Sequence, residues 1–193
     1  MYEKTLFDRT IAESATNSFR WVNLTGGEPL MQDFVEYISL LQKFTDLKLA
    51  VETNGTICPD YIESFDFVTV SPKFGGMAPN KPVDIAVVKA LLRRSKNNQL
   101  KLVISSTEDI EEAYKLVSTI NPSGPVVFQP NGMFQMLDTG LMSPHMKQLG
   151  WVGCYLEQLK SLWMEIQKPR WQYFDMHVVP QMHTMLFGHQ AGI

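Results

Sequence analysis

RWVNLTGGEPLMQDFVEYISLLQKFTDLKLAVETNGT, residues 20–56, holds the pattern that decides the fold. RWVNLT (20–25) is short and apolar enough for a strand, and it runs into Gly26-Gly27. Asp33 followed three residues later by Glu36 fits a capping box that opens a helix. Phe34, Tyr37, Ile38, Leu41 and Phe44 then recur at three- and four-residue steps, one stripe of an amphipathic helix. KLAVET (48–53) returns to strand character and stops at Asn54-Gly55, a turn pair. Strand, helix and strand within one short stretch describe a crossover unit, whose two strands run parallel.

The same alternation extends in both directions. Upstream, residues 4–17 carry Phe7, Ile11 and Ala15 at helical spacing. Downstream, FDFVTV (65–70) reads as a strand ending in Ser71-Pro72-Lys73, followed by the loop FGGMAPNKP (74–82). Asp84 can cap a helix carrying Ile85, Val88, Leu91 and Leu92. LKLVIS (100–105) is a strand, and residues 108–119 a helix with Ile110, Ala113, Tyr114 and Val117 inward. PVVFQ (125–129) is a strand. Ser143-Pro144 opens a long helix with Leu149, Val152, Leu156, Leu159 and Trp163 on its apolar side. DMHVVP (175–180) is a last short strand. The expected class is α/β: a parallel sheet flanked by helices in one domain, residues 1–193. A closed eight-stranded barrel takes about 250 residues. Six strands therefore leave an open doubly wound sheet or an incomplete barrel.

Composition narrows the function classes. The chain has 193 residues, 45% of them hydrophobic, with a net charge of -3. Without a basic excess, nucleic acid is a poor partner. No apolar run suits a membrane span, and the charged start MYEKTLFDRT is no secretion signal. Two distant cysteines, Cys58 and Cys154, favour a reduced, cytoplasmic protein.

Both candidate architectures bind ligands at the C-terminal ends of their strands. Polar residues gather at those ends: Thr25 through Pro29, Glu52 through Thr56, Ser71 through Lys73, Gln129-Pro130 and Pro180-Gln181. Gly26 and Gly27 let a ligand approach the backbone, and Glu28 can accept from an ammonium group; an ordinary strand-to-helix turn would use the same residues. Lys73 could orient a carboxylate or simply be solvated. Lys101, inside an apolar strand, either reaches a pocket or caps an edge. Glu52 faces pocket or solvent. His145, His177, His183 and His189 match no short zinc motif. Cys58 lacks a base to make it a nucleophile, and Cys154, inside an apolar helix, reads as buried.

WVNLTGGEPLMQ, VETNGT, VTVSPK, KLVI, FQP and HVVPQMHTMLFGHQAGI, in that order and spacing, resemble the 7-carboxy-7-deazaguanine synthase family of radical S-adenosylmethionine enzymes. The resemblance implies a modified partial barrel and a homodimer. It also implies S-adenosylmethionine, a [4Fe-4S] cluster and Mg²⁺ as cofactors, with an electron donor as partner. The implied reaction converts 6-carboxy-5,6,7,8-tetrahydropterin to 7-carboxy-7-deazaguanine on the route to queuosine and related deazapurines. By the same resemblance Gly26, Gly27, Glu28, Ser71, Pro72, Lys73, Gln129 and Pro130 contact S-adenosylmethionine. Thr25 and the terminal carboxylate of Ile193 contact the substrate.

One departure from the family is large. Its cluster sits on three cysteines spaced like Cys-x₃-Cys-x₂-Cys upstream of GGEP, and no residue before Thr25 is cysteine here. Two expectations follow. The chain is either a truncated form lacking the first strand and cluster loop, or a cluster-free, catalytically inactive relative that binds S-adenosylmethionine or a nucleoside.

Overall fold

The structure, a computed structural model, describes residues 2–75, 82–131 and 144–182. The chain forms two compact units, one of residues 1–72 with 83–99 and the other of residues 73–82 with 100–193. Eleven main elements follow one another among the described residues. They are α1 (Tyr2–Asn17), β1 (Trp21–Leu24), α2 (Val35–Phe44), β2 (Lys48–Thr53), β3 (Phe67–Val70), α3 (Ile85–Arg94), β4 (Asn98–Ile104), α4 (Thr107–Ile120), β5 (Val126–Pro130), α5 (Pro144–Ile166) and β6 (Met176–Val178). All six expected strands are present, and parallel strands flanked by helices are the architecture.

In the first unit β2 lies between β1 and β3. Trp21 stands beside Lys48, and Glu52 beside Thr69. Alternation along β2 splits the sheet into two faces. Leu49, Val51 and Thr53 are buried, whereas Ala50 and Glu52 are half-buried and Lys48 is exposed. The buried face belongs to the unit's core with Val68, Val70, Tyr37, Ile38, Leu41, Val88 and Leu91. Glu52 and Thr69 share the wetter face, and Thr69 Oγ1 accepts a hydrogen bond from Gln99 Nε2 at 3.0 Å. A parallel sheet is ordinarily apolar on both faces, so polar residues on one of them mark a surface available to something other than a helix.

Two details of this unit correct the sequence reading. Asp33 and Glu36 do not form a capping box: Phe34 occupies the cap of α2 without a side-chain bond, and Asp33 Oδ1 accepts from Val35 N at 3.0 Å. With Phe34 at the cap, Asp33 stands one residue too early to reach the amide of the third helical residue. Phe44 and Ile85, placed on inward stripes, are exposed. Phe44 instead meets Phe7, the two rings tilted by 58° with centroids 6.2 Å apart. Asp84, by contrast, caps α3 as expected, accepting from Ala86 N and Val87 N at 3.0 and 3.1 Å.

In the second unit β5 lies between β4 and β6, with Leu102 beside Phe128 and Phe128 beside Val178. Ser106 and Asp109 make a true capping box at α4. The long helix differs from expectation. Gly150 has φ 64° and ψ -179°, a break in the helical path. Among its described side chains Cys154, Tyr155, Leu162 and Glu165 are buried, whereas Val152, Leu156 and Trp163 are exposed. Three residues of the stripe read from spacing therefore face outward, and Leu159 is half-buried. Trp171 anchors this unit, meeting Phe128 and Tyr114 edge-on at 5.2 and 5.3 Å. Such aromatic pairs add roughly 0.5–1.5 kcal/mol each beyond their burial.

Candidate ligand-binding rim

The turn after β1 is built on backbone geometry that side chains resist. Gly26 has φ 90° and Gly27 φ 53°, and a Cβ on either would meet nothing within 4 Å. Conformation, not crowding, is what asks for glycine there. Among the described residues nothing accepts from either glycine's N–H. Two neighbouring amides in a left-handed turn form a small concavity suited to a carboxylate or phosphate oxygen.

Glu28 fixes that turn. Its Oε1 accepts from Leu30 N at 3.1 Å, capping the short 3₁₀ turn Pro29–Met31, and from Thr53 Oγ1 at 2.8 Å. Its Oε2 accepts from Asn54 N at 2.7 Å. Three donors occupy a carboxylate that offers about four acceptor directions. Thr53 and Asn54 are themselves committed: Gly55 N donates to Thr53 Oγ1, and Thr56 N and Oγ1 donate to Asn54 Oδ1. Ser71 N donates to Thr53 O at 2.7 Å. The ends of β1, β2 and β3 are thus tied into one polar platform. Gly55, at φ 78°, leaves little room for a side chain: a Cβ would stand 3.1 Å from Val88 Cγ2.

Thr25, Gly26, Gly27, Glu28, Ser71 and Pro72 all lie on this platform within the first unit. Thr25 is exposed; Ser71 and Pro72 are buried. Lys73 is half-buried and belongs to the second unit. There Gln129 and Pro130 end β5. Gln129 Nε2 donates to Pro180 O and its Oε1 accepts from Gln181 Nε2, both at a long 3.4 Å. Tyr155 Oη accepts from Gln181 N, and burial raises the tyrosine's pKa above its usual value against that bond. A cavity of about 440 Å³ opens beside Pro130, Ser105, Ser106, Cys154 and Gln158. Ile193, His183 and His189 lie outside the described residues. His177 is exposed and bonded to Asp175 at 2.8 Å.

Sequence reasoning missed Thr53 and Asn54 as the partners of Glu28. The signal was present, because parallel pairing of Leu24 with Val51 brings the residues after both strands together. It also missed the ion network of the second unit. Glu165, buried, accepts from Arg170 Nε at 2.9 Å and Trp171 Nε1 at 3.1 Å and pairs with Lys168. Arg170 also donates to Glu111 at 2.7 Å. Burial alone would raise the Glu165 pKa, but the bonds from Lys168, Trp171 and Arg170 prevail and hold it at about 2.

No protein-family model matches the chain. Over 197 residues it is 23% identical to 7-carboxy-7-deazaguanine synthase from Bacillus cereus, covering all of this chain and 76% of the relative. Over 183 residues it is 28% identical to the enzyme of that name from Bacillus subtilis, covering 92% and 70%. The chain is a relative of the 7-carboxy-7-deazaguanine synthases. The Synechocystis synthase is 32% identical over 119 residues, half of its own length. In three dimensions the chain is similar to the crystal structure of QueE from Escherichia coli, with a TM-score of 0.50 and 21% identity. That likeness covers 91% of this chain but only 63% of the QueE chain, and it shows the fold alone: parallel strands flanked by helices, in the manner of an incomplete (β/α) barrel.

The residues present do not fit the iron–sulfur cluster that the resemblance implies. A cubane is held by several thiolates. The sequence has two cysteines, and neither is in a disulfide: Cys58 is half-buried with Arg94 Nη1 3.9 Å from its sulfur, and Cys154 is buried in α5. Among the described residues no group of three His, Cys, Asp or Glu side chains could hold a metal ion. No helix among them is long and apolar enough to cross a membrane.

Proposed function

We propose that these 193 residues form a binding protein for S-adenosylmethionine or a similar nucleoside, without radical chemistry of their own. One observation carries this reading. The Gly26-Gly27 turn leaves its amides open to a ligand and runs into Glu28, which Leu30, Thr53 and Asn54 hold in place. The free glycine amides would meet the ligand's carboxylate, and the remaining acceptor direction of Glu28 its ammonium group. Thr25, Ser71, Pro72 and Lys73, with Gln129 and Pro130 nearer the adenosine, are the proposed further contacts, and Ile193 is the proposed closing carboxylate.

The name of its relatives keeps a second reading in view. Conversion of a 6-carboxy-tetrahydropterin, with an electron donor, would need cluster ligands from outside these residues. Two thiols free of disulfide suit a reducing cytoplasm in either reading. A homodimer is the proposed assembly, and nucleic acid is not a proposed partner.

Calorimetric titration of the chain with S-adenosylmethionine tests the proposal. Micromolar binding, roughly -8 kcal/mol, is expected, weakened in a folded Lys73→Ala variant. Absence of heat at millimolar ligand would sink the binding reading. Unchanged affinity in Lys73→Ala would remove that lysine from the site.

A further inference from the structure

The side-chain amide of Gln129 is held in one orientation by residues that the proposed contacts do not include. Side chains alternate along β5, so Gln129 faces away from Phe128, which packs against Trp171. Its Nε2 donates to Pro180 O, a carbonyl that can only accept, and this fixes which end of the amide is nitrogen. Its Oε1 accepts from Gln181 Nε2. Both bonds are 3.4 Å long, so the hold depends on how firmly residues 180 and 181 are themselves placed. Two anchors place them. Val179 N donates to Phe128 O at 3.0 Å. Gln181 N donates to the hydroxyl of Tyr155, a fully buried side chain of α5. Among the described residues nothing else bonds the Gln129 amide, which leaves one N–H and one lone pair side by side. Gln129 is half-buried at the C-terminal end of its strand, where parallel sheets bind ligands.

We infer, on the basis of the nucleoside reading proposed above, that Tyr155 is a positioning residue which, through Gln181, keeps the Gln129 amide turned to read an adenine and refuse a hypoxanthine. The open lone pair of Oε1 accepts from the 6-amino group, and the open N–H donates to the neighbouring ring nitrogen. A glutamine amide pairs with adenine in this two-bonded way. Hypoxanthine carries an oxygen at position 6, which would meet Oε1 acceptor against acceptor. An amide free to turn end for end would escape that clash and take either base. Neither Tyr155 nor Gln181 touches the base: the hydroxyl holds a backbone amide, the side chain of that residue holds Gln129, and Gln129 meets the ligand.

Calorimetric titration of the full chain with S-adenosylhomocysteine and with S-inosylhomocysteine, which differ in the base alone, tests this through the ratio of the two affinities. The adenine form is expected to bind about tenfold more tightly or better. Tyr155→Phe keeps the ring and removes the acceptor, and should bring the ratio close to one with the circular dichroism unchanged. Gln181→Ala cuts the same link without disturbing the buried tyrosine and should lower the ratio as far, which keeps the test decisive if Tyr155→Phe fails to fold. Gln129→Leu should abolish the preference, and adding Tyr155→Phe to it should change the ratio no further. A tyrosine that served stability alone would weaken both ligands alike and leave the ratio untouched. Equal affinities in the unaltered chain, or an undiminished ratio in folded Gln181→Ala or Tyr155→Phe, would overturn the inference and leave nucleoside binding standing. Failure of both ligands to bind the unaltered chain would overturn the nucleoside reading and the inference with it.

Discussion

Glu28 serves two strands with one carboxylate. It caps the 3₁₀ turn that leaves β1 and holds the residues that leave β2. Charge-assisted bonds of this kind are roughly twice as strong as neutral ones. Glu28→Gln places an amide donor against either Asn54 N or Thr53 Oγ1 and leaves a donor unsatisfied. A loss of about 1–3 kcal/mol in denaturant unfolding is expected; an unaltered midpoint would show that the turn holds itself. Single residues at the rim were legible because their types are unusual where a strand ends. Their partners were not, because a hydrogen bond between residues 28 and 54 depends on strand register, which no local pattern specifies.

Elements were legible where a local rule and the tertiary environment agree. Asp84 is such a place: its position before Ile85 announced a cap, and the cap is made. Asp84→Ala should cost about 1 kcal/mol, read as a lowered melting temperature, while a change below a few tenths would mean that packing of Val88 and Leu91 alone keeps the helix. The helix α5 shows the opposite. Its sequence offers two apolar stripes, and spacing cannot say which one turns inward. Gly150 interrupts the helical phase, so Leu149 cannot be aligned with Leu156 by counting. The inward side mixes Tyr155 and Leu162 with Glu165, a carboxylate that Arg170, Lys168 and Trp171 make tolerable. An acidic residue at an inward position hides a stripe from any hydrophobic reading.

For the whole molecule, that buried carboxylate sets a pH dependence. The Glu165 pKa falls from 4.5 to about 2 on folding, so its contribution is complete above pH 4.5 and is lost as pH falls toward 2. The amount is about 3 kcal/mol. Asp66 adds in the same direction: burial opposes it, but the bonds from Leu49 N and Lys48 lower its pKa. Urea midpoints should hold from neutral pH to about 5 and then drop steeply; Glu165→Gln should be less stable at neutral pH and show a shallower acid drop. An identical drop in that variant would assign acid unfolding elsewhere. At this scale the class of fold could be read from alternation alone, since six apolar runs separated by helical stripes admit little else. The division into two compact units could not, because it depends on how densely distant segments touch.

The grip of Glu28 on Thr53 and Asn54 also bears on descent. A glutamate kept only for chemistry is free to drift once the chemistry is gone. One that fastens two strands is retained by the need to fold, whatever the lineage later does with its cofactor. GGEP can therefore outlive catalysis, and substitutions at position 28 should arise together with changes at position 53, while Lys73 and Gln129 vary independently of both.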